Sequence, residues 1–369
     1  MLYYLAEYIN KNFNPPGFDV FKFLTWRSAL SAITAMVISF WIGPKILNVL
    51  NKKRVADEIR ADGPQTHLAK SGTPTMGGVI IILAIIGPVV LWSDIKNTYI
   101  LIIILATVWM GIVGFIDDYL KVFKKMKKGL VARYKLMNQI GLGLVVACLI
   151  FFLPEFEKIN SVTTIPFIKQ IEFDFSYLYI PIMVFIITAT SNAVNLTDGI
   201  DGLAIGTVGI AGLALGLIAY ISGNEIFSNY LDIIYLPGNG ELMVYCAALV
   251  GASLGFLWFN SYPAQVIMGD TGSLALGGAI GTLSILVKKE FLLPILGGIF
   301  FATSISVIVQ RYYFKYTKKR FGEGKRILKM APLHHHFELN GLAEPKIIVR
   351  CWIISIVLAL VSLATLKLR

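Results

Sequence analysis

Five aspartates of this 369-residue chain stand in short polar stretches that interrupt an otherwise apolar sequence: Asp117 and Asp118 in GFIDDYLK, Asp198 and Asp201 in NLTDGIDG, and Asp270 in MGDTGS. Two adjacent carboxylates at the end of an apolar run repel one another and are costly to desolvate. A divalent cation or a cluster of lysines keeps such a pair ionised. Asn195 and the glycines Gly199 and Gly202 surround the second pair, and glycine lets backbone N–H groups approach a ligand closely. A carboxylate-rich set favours Mg²⁺ over zinc, because hard cations take oxygen ligands and Mg²⁺ needs only one or two carboxylates beside phosphate and water. Cations that neutralise a transferring group, a divalent ion that bridges phosphates and a carboxylate that holds the ion or takes a proton are the parts of phosphoryl transfer.

Each motif also has a plainer reading. Asp117 is placed to pair with Lys121 one helical turn later. Asp198, Asp201 and Asp270 suit helix caps. The run His334, His335, His336 in APLHHHFE cannot share one helical face and lacks the HxxxH spacing of a helical zinc pair, so it reads either as a solvated basic loop or as imidazoles that hydrogen-bond phosphate. The basic stretch 121–135 suits lipid headgroups, with Lys135 the lysine best placed for a site. Lys70 sits in KSGTPTMGG, a Gly- and Thr-rich turn of the kind that binds anions.

These motifs are positioned by membrane spans. The chain is 56% hydrophobic and 15% charged, with a mean hydropathy of +0.71. A soluble domain is about 45–50% apolar and about 25% charged. The sequence therefore predicts an all-α polytopic membrane protein, one integral-membrane domain over residues 1–369. Ten apolar runs are long enough to cross a bilayer, at 25–50, 73–92, 98–116, 136–153, 178–194, 201–221, 241–259, 271–287, 291–314 and 346–366. The first twenty residues lack the basic start and apolar core of a cleavable signal and read as a short amphipathic lead-in. Residues 155–177 carry alternating stretches that suit a small surface hairpin. Cys148, Cys246 and Cys351 all lie in apolar runs without ligand spacing and read as small core residues.

Ten crossings put both termini on one side. One set of loops then holds 22 of the 33 Lys and Arg residues, which places that set in the cytoplasm and both termini outside. Every polar cluster named above falls in the cytoplasmic set, so a site on the inner membrane face is expected. Part of the net charge of +11 is then topogenic and lipid-facing, and no nucleic-acid partner is expected. An ion-coupled transporter, the rival from a different class, would carry its acids near the bilayer midplane.

Taken together, KSGTPTMGG, GFIDDYLK, NAVNLTDGIDGLA, FNSYPAQVIMGDTGSLALG and APLHHHFELNG closely resemble the phospho-N-acetylmuramoyl-pentapeptide transferases, a branch of the polyprenyl-phosphate N-acetylhexosamine-1-phosphate transferase superfamily. The resemblance spans essentially the whole chain. It implies ten helices with both ends periplasmic, a cytoplasmic cleft in a bacterial inner membrane, and a homodimer. It implies a Mg²⁺-dependent reaction of undecaprenyl phosphate with UDP-N-acetylmuramoyl-pentapeptide, giving lipid I and UMP in peptidoglycan synthesis. The nearest alternative it leaves is a sister enzyme that transfers N-acetylglucosamine-1-phosphate. By the same resemblance Asp270 is the metal ligand and Asp117 the base, with Asp118 beside it. Asn195 and Asp198 support the metal–diphosphate region. Lys70, Gly199, Ile200, Asp201 and Asn260 bind on the substrate's nucleoside side, Lys135, His334 and His335 contact phosphate or sugar, and Thr75 and His336 also bind substrate. Two positions depart from the family pattern: Ile267 stands where a uracil-stacking Phe is usual, and Thr303 where a Glu is common.

Overall fold

The computed structural model describes residues 1–13, 15–53, 55, 72–126, 129–167 and 172–367. Helices form at all ten apolar runs. In chain order, α1 is Leu2–Phe13, α2 Leu24–Lys52, α3 Gly78–Trp92, α4 Thr98–Val122 and α5 Ala132–Phe152. A two-stranded antiparallel hairpin follows, β1 Val162–Thr164 with β2 Glu172–Asp174, in the register Thr163↔Phe173. Then come α6 Tyr179–Thr197, α7 Leu203–Ser222, α8 Glu225–Leu231, α9 Leu242–Asn260 and α10 Gly269–Leu286. The short α11 Leu293–Leu296, α12 Gly298–Phe321, α13 Leu333–Glu338 and α14 Glu344–Ala364 complete the chain.

Among the described residues, seven helices are long and apolar enough to cross a membrane: α2, α4, α5, α6, α7, α9 and α14. The other three at apolar runs differ for reasons visible in their sequences. The helix α3 has only 15 residues, α10 is rich in Gly, Ser and Thr, and α12 ends in Lys318, Lys319 and Arg320. Those cations oppose the negative C-terminal end of the α12 backbone dipole.

The helix α10 is the core. Every residue from Asp270 to Leu286 is buried, as expected of a helix enclosed on all sides. Its small side chains let neighbours approach closely, which is how helices associate where lipid leaves little hydrophobic drive between them. Both α3 and α4 come close: a Cβ added at Gly78 would fall 2.0 Å from the Gly272 N, and one at Gly114 2.1 Å from the Asp270 carbonyl oxygen. By contrast α2 and α14 are peripheral, with 28% of their most apolar stretches buried, and Ile33, Val37, Ile353 and Leu360 are exposed. Such apolar faces are suited to lipid. Cys246 is buried as expected, but Cys148 is exposed on α5 and Cys351 half-buried on α14, because an apolar position in a membrane helix is as suited to lipid as to the core.

The end of the bundle away from the polar loops is also tied. Arg27, at the start of α2, forms a bidentate pair with Glu241 at 2.6 and 2.8 Å, and Tyr3 of α1 stacks under the guanidinium at 4.4 Å. The hairpin is anchored by Lys289 Nζ, which donates to Thr164 Oγ1 at 2.9 Å.

Candidate functional site

The pair Asp117–Asp118 lies in the last turns of α4, and both residues are buried. They face different partners, as neighbours about 100° apart on a helix must. Asp117 Oδ2 is 2.6 Å from Lys121 Nζ, and Asp117 Oδ1 accepts the Leu130 N–H at 2.7 Å and lies 3.4 Å from Lys135 Nζ. Asp118 turns toward the start of α10. Its Oδ1 accepts the Asp270 N–H at 3.1 Å, and its Oδ2 accepts the Thr271 N–H at 2.9 Å and the Thr271 hydroxyl at 2.6 Å. Asp118 therefore binds the first turn of α10, where unpaired helical N–H groups favour a carboxylate.

Asp270 closes the cluster. Its Oδ2 receives Lys121 Nζ at 2.8 Å and Lys135 Nζ at 2.7 Å, so two ammonium groups bridge Asp117 and Asp270. One oxygen from each of Asp117, Asp118 and Asp270 lies within 4.8 Å of the others. Three carboxylates against two ammonium groups leave the cluster with one negative charge in excess. That excess and the all-oxygen donor set fit a hard divalent cation, with Asp270 the least buried donor, Asp117 beside it, and Asp118 already engaged by three backbone and hydroxyl hydrogens.

Two loops wall the cluster. The 198–202 turn between α6 and α7 brings Asp198 to the Gly269 N–H, which donates to it. Burial, reinforced by the charges of Asp270, Asp118 and Asp201, pushes the Asp198 carboxyl up to about 8. The turn is fastened to the 261–268 loop: Asp201 Oδ2 accepts the Ala264 N–H at 3.0 Å, Asn260 Oδ1 accepts the Gly202 N–H at 2.9 Å, and Asn260 Nδ2 donates to the Val266 carbonyl at 2.8 Å. Glu344, from the start of α14, accepts the Asp201 N–H at 2.9 Å. The segment before α3 docks on the same loop, with Ile267 N donating to Pro74 O at 2.8 Å and Gly77 N to Ile267 O at 3.0 Å. A side chain built at Gly269 would meet both Asp118 Oδ2 and Thr75 Oγ1, which places Thr75 at the cluster.

The three histidines divide, as their consecutive spacing requires. His334 is buried against Gly199, so closely that a Cβ at residue 199 would sit 2.2 Å from His334 Nε2. His335 Nδ1 pairs with Glu338 at 2.7 Å, and His336 Nδ1 accepts the Lys329 N–H at 3.1 Å while its Nε2 meets Asn340 at 3.1 Å. His335 and His336 thus hold their own turn, while His334 reaches the 198–202 loop. Ile200 is buried within that loop, and Asn195 is half-buried on the last turn of α6. Lys70 lies outside the described residues.

Of the residues singled out by motif, the structure brings Asp117, Asp118, Asp270, Asp198, Lys135 and Thr75 together at one end of the bundle. Lys121, which spacing assigns only as the i+4 partner of Asp117, reaches Asp270 as well. Thr271 and the Leu130 N–H carry no signal in the sequence, because no spacing rule shows which carboxylate a distant backbone amide will meet. Asp201 and Asn260 are engaged in loop-to-loop hydrogen bonds, a structural duty beyond the one their motifs suggest.

A family model described as "Glycosyl transferase family 4" matches residues 100–288, and a phospho-N-acetylmuramoyl-pentapeptide-transferase signature matches residues 70–82. The chain is 53% identical to the phospho-N-acetylmuramoyl-pentapeptide-transferase of Chlorobium phaeobacteroides (strain DSM 266) and 52% identical to that of Chloroherpeton thalassium, over the full length of both partners in each case. It is 47% identical to the protein of the same name from Flavobacterium psychrophilum, again over all of both chains.

Proposed function

The chain belongs to the phospho-N-acetylmuramoyl-pentapeptide-transferase family, and from that premise we propose how its own residues carry the reaction. It transfers phospho-N-acetylmuramoyl-pentapeptide from the UDP conjugate to undecaprenyl phosphate, forming lipid I and UMP. An oxygen of the lipid phosphate forms the new bond to the sugar-bearing phosphorus. The bond from that phosphorus to the UMP oxygen breaks, and UMP leaves with the electron pair. The observation that carries the reading is the Asp117–Asp118–Asp270 cluster bridged by Lys121 and Lys135, set against the 74–78 segment that bears the family signature.

Asp270, with Asp117 beside it, would hold Mg²⁺, which would supply positive charge to offset that of the diphosphate. Lys121 and Lys135 neutralise the transferring phosphate, and both move from carboxylate to phosphate oxygen when substrate arrives. Asp117, steadied by the Leu130 N–H, orients the lipid phosphate and takes its proton where one is present. Asp118 acts through Asp270: its three accepted hydrogen bonds fix the first turn of α10. Asn195 and Asp198 flank the metal–diphosphate region. Lys70, Gly199, Ile200, Asp201 and Asn260 form the nucleoside side, Thr75 meets substrate beside the aspartate cluster, and His334 contacts phosphate or sugar from across Gly199. His335 and His336 shape the turn that presents it. With Ile267 in place of an aromatic, stacking on uracil comes from elsewhere than that position.

The topology proposed with this reading is ten spans in one unit over 1–369, both termini outside and the cleft cytoplasmic, in the bacterial inner membrane. Its support is the excess of Lys and Arg in the loops that carry the site, and the convergence of the 72–77, 198–202, 261–268 and 331–336 segments at one end of the bundle. A homodimer is proposed on family grounds alone.

Purified protein in detergent, with undecaprenyl phosphate and Mg²⁺, tests the reading by UMP release. Release with UDP-N-acetylmuramoyl-pentapeptide, absent with UDP-N-acetylglucosamine and abolished by EDTA, is expected. Release with the second donor alone would move the chain to the sister activity.

A further inference from the structure

Resting on the transferase reading, we propose that a cationic cleft beside the catalytic cluster binds the carboxylates of the donor's peptide. The cleft has a volume of about 560 Å³ and lies between the C-terminal half of α12 and the 326–331 loop. Arg311, Lys315 and Lys318 line it from α12 and Arg326 faces them from the loop, with no acidic residue in the lining. Arg311, Lys315 and Lys318 stand at i, i+4 and i+7, so they share one helical stripe. Like charges at that spacing destabilise a helix. Among the described residues none of the four cations is paired with a carboxylate, so the fold gains nothing from their alignment. A polyanionic occupant would relieve the repulsion.

The cleft is built in advance of any occupant. Gln310 Oε1 accepts the N–H groups of Ile327 and Leu328, both at 3.0 Å, and its Nε2 donates to the Leu328 carbonyl at 3.0 Å. Thr317 Oγ1 accepts the Lys325 N–H at 2.8 Å. These bonds hold the loop open over α12 at a fixed width.

Its location selects the occupant. Ala331 lines the cleft, and His334, three residues on, touches Gly199 beside Asp198. Three residues span at most about 11 Å, whereas an extended pentapeptide reaches about 17 Å. A donor with its diphosphate at the aspartate–lysine cluster can therefore lay its peptide in the cleft. That peptide, joined to the sugar through its amino end, keeps a free carboxylate at its far end. The cleft walls add Met330 and Ala331 as apolar contacts for side chains.

The test uses the full chain in detergent with Mg²⁺ and undecaprenyl phosphate, and follows UMP release from two donors: UDP-N-acetylmuramoyl-pentapeptide and the same compound with its peptide carboxylates amidated. For wild type, amidation is expected to lower kcat/KM about ten-fold, mainly through KM, as several exposed ion pairs acting together would. In Arg311→Gln and Arg326→Gln the ratio between the two donors is expected to fall toward one. Both sites are solvent-exposed, and turnover of the amidated donor reports that each variant is folded. Indifference of wild type to amidation, or a wild-type ratio in both variants, overturns the proposal. A variant effect confined to the KM for undecaprenyl phosphate, or to stimulation by phosphatidylglycerol, assigns the cleft to a lipid headgroup and also overturns it. Failure of wild type to release UMP from either donor strikes the transferase reading instead.

Discussion

Asp118→Asn separates a residue that does chemistry from one that positions the residue that does. The carboxylate accepts three hydrogens from residues 270–271, at 3.1, 2.9 and 2.6 Å. Asparagine retains one oxygen, enough for the two Thr271 donors, but turns an NH₂ toward the Asp270 N–H. One charge-assisted bond is lost, worth about 1.5–3 kcal/mol, and a buried N–H is left opposite another donor, at about 1–3 kcal/mol. Allowing for overlap between those two costs, roughly 2–4 kcal/mol of constraint on Asp270 disappears. If that constraint acts wholly in the transition state, kcat falls by about 30- to 1,000-fold. The assay is UMP release against Mg²⁺ concentration, with Thr271→Val in parallel. The positioning role predicts that Asp118→Asn both slows turnover and raises the Mg²⁺ needed for half-activation, and that Thr271→Val, which removes one donor of the three, moves both in the same direction by about ten-fold or less. Turnover within about three-fold of wild type at every Mg²⁺ level would refute the argument. So would a loss beyond about 10⁴-fold with Thr271→Val silent, since Asp118 would then act on substrate directly.

Gly114→Ala would drive a methyl group to 2.1 Å from a backbone carbonyl of α10, with no flexible side chain to give way. Overpacking of this kind costs about 1–3 kcal/mol, so a lower Tm in detergent and reduced UMP release are expected, and an unchanged melt would show that α4 and α10 can separate freely. Arg27→Met leaves the half-buried Glu241 with only the Asp94 N–H in place of its bidentate partner and should destabilise by at most about 3–5 kcal/mol, whereas Arg27→Met with Glu241→Leu should recover most of that loss, because a hydrophobic replacement of both members is often neutral; thermal denaturation of the single and double variants decides it. Burial pushes the Lys288 ammonium down to about 8, below its unfolded value of about 10.4. The unfolded chain therefore binds more protons between about pH 8 and 10.4, and the Lys288 contribution to stability rises with pH across that window, by at most about 3 kcal/mol. The gain in Tm from about pH 8 to 10 should be larger in wild type than in Lys288→Met, and equal gains would contradict it.

How much of the fold is legible in the sequence depends on the range of the interaction. Apolar runs locate every long helix, since crossing a bilayer imposes a length and a composition that local sequence must meet. Helix ends are less legible. The fourth apolar run starts at 136, yet α5 begins at Ala132 because the basic ARYK turn is helical where it leaves the apolar stretch, and α12 continues to Phe321, past the end of its apolar run at 314, for the same reason. The second run starts at 73, but α3 begins at Gly78, because the preceding turn, left-handed at Met76, is held by backbone hydrogen bonds of Pro74, Gly77 and Gly78 with the 267–268 loop. That pairing joins segments far apart in the chain, and no local propensity reports it. The hairpin expected in 155–177 is present with only three residues per strand, and α8 lies in a loop where the apolar pattern predicts no helix.

The site shows the same division more sharply. Unusual composition exposes it: carboxylates at the end of an apolar run need a compensating partner, so Asp117, Asp118 and Asp270 are conspicuous in the sequence alone. Composition does not reveal which partner answers which acid. Lys121 satisfies the simple i,i+4 pairing with Asp117 and, through the close approach that Gly114 permits between α4 and α10, serves Asp270 with the same ammonium group. The structural and functional readings of that lysine are therefore not exclusive. A pair that stabilises the helix end without substrate is the same pair whose ammonium can pass to a phosphate when one arrives. Asp118 illustrates the converse. Adjacent to Asp117 and chemically identical to it, it is committed by three hydrogen bonds to holding α10, and only the direction in which a helix turns its side chains separates the two roles.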